Sequence, residues 1–345
     1  MDFGIALRVQ RRRKFAMFPA RPLPCPLWVL AAVMAFATPS GADAGEPKPV
    51  PRMQAVPLPD HQVSFQRDGA EIARYHFGTE GFRPFVFPVI GPSGRALTRM
   101  GHPHDPETHS HHNSVWLSHQ SVNGVNFWED RNGRIVHQQI EEFVDGPDRP
   151  DTASIQTLNV WMDKEGKHLM NEHRRTSAQA LENGEWMLVI DSQLEAAEEK
   201  VTLGKSPFGL IGVRMAKTIG VNDGGGTIRN SEGGVDEKGC FRLPARWMDY
   251  SGPIAPGVTE GITLMDHPGN PHHPEVFHVR NDGWMGAALS YQGAVEIEPG
   301  KPLVVRYGLY IHSGMPASEA LQKRWEDFAS VPLNPLTKTK EIMRH

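Results

Sequence analysis

The sequence predicts an all-β protein, a large antiparallel β-sandwich closed by one C-terminal helix. Three observations carry this. Glycine (34) and proline (29) are abundant in a chain of 345 residues. Short apolar runs at the two-residue strand period alternate with turn residues. Only one stretch has a clear helical stripe, and no strand–helix alternation suggests a parallel α/β sheet. A self-similar period of about 20–50 residues, the mark of a solenoid, is absent.

The chain opens with a targeting pattern. Arg8, Arg11, Arg12, Arg13 and Lys14 form a basic region, Leu27–Thr38 is an apolar run, and Ala42-Asp43-Ala44 gives a small-x-small cleavage site. Residues 1–44 are therefore expected to be a signal peptide. The apolar run falls short of the ~20 residues of a comfortable membrane span. Arg12-Arg13-Lys14-Phe15 resembles a twin-arginine export signal. The mature protein is expected in the periplasm or outside the cell.

Residues 45–60 contain five prolines and read as an extended linker. One domain is expected over 61–331, with a tail over 332–345. Within it, strand-like runs fall at Arg83–Ile90, Trp186–Leu194, Leu210–Met215, Met285–Tyr291, Ala294–Ile297 and Leu303–Ile311. Val276–Val279 reads as a further strand. Residues 141–153 are polar and Pro/Asp-rich and read as a loop. Asn183-Gly184 marks a turn, and Glu298–Pro302 a hairpin or tight connection between two late strands. The helix is Pro316–Ala329, with Leu321, Trp325 and Phe328 at i, i+4 and i+7.

Charge narrows the function. There are 36 basic and 40 acidic residues, net −4, and the leader holds six of the basic ones. A polybasic nucleic-acid binder is therefore not expected, nor a membrane partner once the leader is removed. Cys25 lies in the leader, which leaves Cys240 alone and excludes an intramolecular disulfide in the mature chain. A lone cysteine reads first as a small buried hydrophobe.

Histidine is the unusual residue: 17 in all, ten of them in two short stretches. The first, residues 101–130, carries His102, His104, His109, His111, His112 and His119, beside Trp116 and Trp128. Pro103 and Pro106 argue against a helix here, so these are loop or strand-end imidazoles. Such groups suit metal coordination or proton transfer near neutral pH. The second, residues 265–280, carries Asp266, His267, Asn270, His272, His273, Glu275, His278 and Arg280 in a Pro/Gly-rich loop. Neither stretch has a zinc spacing such as H-E-x-x-H or C-x-x-C. Both loops are expected to face one polar pocket, with His312 and Glu232 near its rim. Glu232 and Asp236 sit on a Gly-rich turn, and Trp247 and Tyr250 follow as candidate stacking residues.

His102 through His111-His112-Asn113-Ser114-Val115-Trp116, followed by Val122-Asn123-Gly124-Val125-Asn126-Phe127-Trp128, resembles an uncharacterised bacterial family often labelled "methane oxygenase PmoA". Asp266-His267-Pro268, Asn270-Pro271, Val279-Arg280, Glu232-Gly233-Gly234 and Arg306-Tyr307 fit its later motifs. The resemblance covers roughly residues 60–330. The membrane subunit of methane monooxygenase that shares this label spans the bilayer many times, and the mature chain has no stretch able to do so. What the resemblance implies is a secreted β-rich domain of the kind met among carbohydrate-degradation genes.

Three function classes remain open. The first is a carbohydrate-active enzyme (hydrolase, lyase or epimerase) on a mutarotase-like sandwich. His104, His111, His112, His267 and His278 would be its acid and base, and Trp116, Asn123, Trp128, Glu232, Trp247, Asn270 and Arg280 would hold a small-molecule or oligosaccharide substrate. The second is a His-ligated copper or iron protein with oxidase- or oxygenase-like activity, with a divalent metal on His102, His104, His272, His273 and His312. The third is a non-catalytic sugar-binding protein.

Overall fold

The structure, a computed structural model, describes residues 50–78, 80–101, 109–146 and 148–336. The expected signal peptide, residues 45–49 of the expected linker, and the tail beyond 336 lie outside the described residues.

Among the described residues, two large antiparallel sheets share one apolar core. The first has nine strands. From one edge they are Met53–Leu58, Gln62–Arg67, Ala70–His76, Phe85–Val89 and Val115–Leu117, then Ile211–Arg214, Trp284–Ala288, Val276–Arg280 and Leu243–Pro244. The second has eight: Thr227–Asn230, Trp247–Ala255, Val258–Asp266 and Leu303–Ser313, then Trp186–Ala196, His168–Ala180, Thr152–Asp163 and Gly133–Val144. A two-stranded ribbon pairs Val201–Leu203 with Val295–Ile297.

Strand alternation decides which side chains enter the core. Val115, Leu117, Ile211, Val213, Met285 and Ala287 face inward from the first sheet, against Ile155, Trp161, Leu188, Ile190, Leu309 and Ile311 from the second. The central strands of the second sheet carry apolar and aromatic side chains on the outer face too where the C-terminal helix, Ser318–Ala329, covers it. Leu321 and Phe328 pack there on Met187, Trp247, Met265 and Tyr310. Each such side chain contributes about 1.5–3 kcal/mol by leaving water. Gly308 makes the approach possible: a Cβ there would lie 2.8 Å from the Phe328 ring.

The antiparallel sandwich and its closing helix are as expected. The linker reading of 45–60 needs correction, since Met53–Leu58 is an edge strand paired residue for residue with Gln62–Arg67. An edge tolerates proline because the missing N–H faces no partner strand. The loop over 141–153 shrinks to a turn between two twelve-residue strands. Glu298–Pro302 is a tight connection and no hairpin: the strands it joins pair in different sheets.

Candidate active site

The outer face of the nine-stranded sheet carries a row of residues in register: Trp116, Gly212, Gly286 and His278, one from each of four adjacent strands. The two glycines create space. A Cβ on Gly212 would lie 2.7 Å from the Trp116 ring and 2.8 Å from Trp284, and one on Gly286 would lie 2.8 Å from Trp284. The indoles therefore lie close against the sheet. Trp116, Trp128 and Trp284 form a triangle with centroids 5.3–5.5 Å apart.

Onto this floor Arg83 pins two loops. Its buried guanidinium donates to the His111 carbonyl and Asn113 Oδ1, to the carbonyls of Phe127 and Trp128, and to the Asp130 carboxylate at 2.7 Å. His112 is thereby held between aromatic planes. It stacks on His109 (centroids 4.5 Å, planes 6° apart) and lies 4.9 Å from Trp284 and 5.2 Å from Trp116. His111 meets His112 edge-on at 4.6 Å. His278 comes in from its own strand, against Phe208 and Phe241.

Burial keeps these imidazoles neutral. Desolvation first, and then the neighbouring cations, lower His111 and His278 to about 4. His112 is held well below its ordinary value by burial, and by His111 and Arg214 beside it. Neutral imidazole offers one N–H donor and one acceptor nitrogen. The Nδ1 atoms of His112 and His278 and the Trp284 Nε1–H are buried without a hydrogen-bond partner among the described residues. Buried polar atoms are normally satisfied, so these three are free to hydrogen-bond a group in the space beside them.

They border a cavity of about 550 Å³. Its walls are aromatic (Trp128, Phe208, Phe241, Trp284) and its rim is charged. Arg280 pairs with Glu237 at 3.0 Å, and Asp282 with buried Arg214 at 2.9 Å. Arg242 and Arg280 both lie over the Phe241 ring, at 4.9 and 5.2 Å. Glu129 adds a carboxylate. Flat apolar faces beside hydrogen-bonding groups suit a polyhydroxylated ring, and paired imidazoles suit proton transfer.

Of the residues singled out in the sequence, His109, His111, His112, His278, Trp128 and Arg280 border this cavity, with Trp116 beneath. The second histidine loop otherwise goes elsewhere, which corrects the single-pocket expectation. His267 accepts from the Gly269 N–H at Nδ1 and donates through Nε2 to the Val331 carbonyl, so both nitrogens are engaged and the ring packs on Phe328. His273 binds Asp266, and His272 the Leu289 carbonyl. Asn270 clamps Arg306 by accepting from its N–H and donating to its carbonyl.

Asn123 fixes a turn through Lys200 and Thr202. Trp247 is buried under the C-terminal helix and donates to Gln322, so it presents no face to a sugar in the cavity. Glu232 is an exposed partner of Arg246, and His312 is fully buried against Asp249; neither borders the cavity. His102 and His104 lie outside the described residues. Among the described residues no group of three or more His, Cys, Asp or Glu is arranged to hold a metal, and His272, His273 and His312 lie on separate partners.

Arg83, Phe208, Gly212, Glu237, Phe241, Arg242, Asp282, Trp284 and Gly286 escaped the sequence reading. One signal was present: Trp284-Met285-Gly286 alternates large outward, apolar inward, small outward.

No curated protein matches the sequence. Among solved structures, the chain is similar to the GalM/aldose epimerase homologue from C. elegans, at 8% identity and a TM-score of 0.32, over 76% of this chain and 99% of that one. Among the described residues, no helix is long and apolar enough to cross a membrane. The family of unknown function DUF6807 matches residues 62–326, which include both sheets apart from the Met53–Leu58 edge strand, the Arg83-pinned loops and most of the C-terminal helix, and this chain belongs to it.

Proposed function

We propose that the protein is an exported enzyme that binds a carbohydrate or sugar derivative in the His112–His278 cavity and performs acid–base chemistry on it. One observation carries the reading: the Nδ1 atoms of two buried neutral imidazoles and an indole N–H, each without a hydrogen-bond partner among the described residues, border a cavity walled by four aromatic side chains. The leader pattern in the sequence supports export.

The aromatic walls take the apolar face of the ring. His112 and His278 each present Nδ1 as a proton acceptor in the neutral ring, so proton uptake needs no standing positive charge on either ring. His109 and Asp282, with Nδ1 and Oδ2 3.9 Å apart, set a third imidazole beside a carboxylate at the cavity wall. Glu129 is the remaining carboxylate facing the bound ring.

Calorimetry against a panel of neutral and acidic mono- and oligosaccharides tests this. Binding by at least one sugar, weakened tenfold or more by Trp128→Ala, is expected. His112→Asn and His278→Asn should retain binding and lose turnover by ~10²–10⁴. A folded protein that binds no sugar, or binds one equally well without Trp128, would refute it.

A further inference from the structure

The opposite outer face of the sandwich, on the eight-stranded sheet, has a second concavity that the reading above does not use. Strand register lays a row of small residues across it, Ser154, Ser177, Val189 and Gly308, one on each of four adjacent strands. The rows on either side are long. Arg175 and Arg306 stand in one, and Gln179, Met187 and Tyr310 in the other. Small between large makes a trough across the strands. Phe328 fills its Gly308 end, and the remainder is a cavity of about 680 Å³.

The trough's charges are unequal. Arg306 is bound to Asp191 at 2.6 Å, and Asp327 to Lys323. Arg149, Arg175 and Arg324 have no carboxylate partner among the described residues, against Glu142 alone on the acidic side. Arg175 is positioned from below. Its guanidinium donates to Gln156 Oε1 at 2.9 Å. Gln156, 2% exposed, donates in turn to Glu141, which also holds His173. Arg324 lies 4.9 Å over the Tyr310 ring, whose hydroxyl donates to Glu185. The Ser154 and Ser177 hydroxyls have no hydrogen-bond partner among the described residues and sit one strand apart, a spacing of about 4.8 Å.

We propose that this trough is a second binding site, for an anionic saccharide chain whose acid group is taken by Arg175 and whose hydroxyls meet Ser154 and Ser177. A preoriented guanidinium suits bidentate capture of a carboxylate or sulfate. Val189 supplies the apolar surface that a sugar ring covers, and the open trough admits a chain longer than the ring the first cavity holds. The inference stands apart from the proposed chemistry at His112 and His278.

The test is calorimetry of the full chain with three oligosaccharides of equal length: an oligogalacturonate, a sulfated one and a neutral one. One of the two anionic ligands should bind, more weakly as salt rises, and which of them binds identifies the acid group. Arg175→Gln should weaken that binding at least tenfold, and Ser177→Trp, which fills the trough from its floor, should abolish it. Should Ser177→Trp not fold, Arg175→Gln decides alone. The proposal falls if neither anionic oligosaccharide binds, if the neutral one binds as tightly, or if Arg175→Gln leaves binding unchanged.

Discussion

Arg83 touches no part of the cavity, yet it fixes the two loops that carry His111, His112 and Trp128. Five acceptors converge on its guanidinium, and removing it would leave them, and the Asp130 charge, without their partner. Arg83→Ala should cost ~3–5 kcal/mol in urea unfolding. Arg83→Lys should recover little, because an ammonium cannot match the planar fork. The imidazoles make a different prediction. With His111 and His278 protonating only near 4, the pH profile of turnover should show no break from them between about pH 5 and 8. An essential group titrating near 6.5 and lost in His278→Asn would contradict this. Histidine density made the first cluster legible in the sequence. The second was equally dense, yet only His278 reaches the cavity, because the Asp266–Pro274 segment turns its polar groups toward Arg306 and the C-terminal helix. Arg83 was unreadable, since its partners lie 28 to 47 residues away.

At the scale of elements, the glycines of the nine-stranded sheet matter as much as the side chains they admit. Gly286→Ala should cost ~1–3 kcal/mol through overpacking and shift the tryptophan emission, since the new methyl meets the Trp284 ring. Unchanged stability and emission would mean that the indole is free to move aside. On the other sheet, Phe328→Ala should cost ~3–5 kcal/mol, read in the denaturation midpoint, because the ring fills the space over Gly308. The helix was legible from three apolar positions, and the named strands from their alternation. Three strands of twelve or thirteen residues, Gly133–Val144, Thr152–Asp163 and His168–Ala180, were missed. Their inward faces carry Thr157, Asn159, Glu172 and Arg174, so apolar periodicity is broken where the structure replaces it with a buried polar network. Glu172 accepts from Arg174, Trp161 and Ser192 there.

For the whole molecule, buried neutral histidines set the response to acid. His111, His119, His137 and His278 are each lowered to about 4 by burial, and His112 is likewise held well below its ordinary value. In the unfolded chain they protonate near 6.5. Between those values the unfolded state holds more protons, so their contribution is complete above about pH 6.5 and is lost as pH falls toward 4. Glu275 acts in the opposite sense. Burial beside Asp266 raises its carboxyl, so its contribution is lost as pH rises, but five imidazoles outnumber one carboxyl. Urea midpoints at pH 7, 5.5 and 4.5 should therefore decline in that order, and a midpoint that rises toward pH 4.5 would reverse the assignment. The alternation that places Trp284, Gly286 and His278 outward also places Met285, Ala287, Phe277 and Val279 inward. Inheritance can therefore act on the two sets separately. Lineages of this family are free to diverge in what they recognise while conserving one scaffold, and their sequences should show it as a comb, variable and fixed positions succeeding each other one by one along each strand.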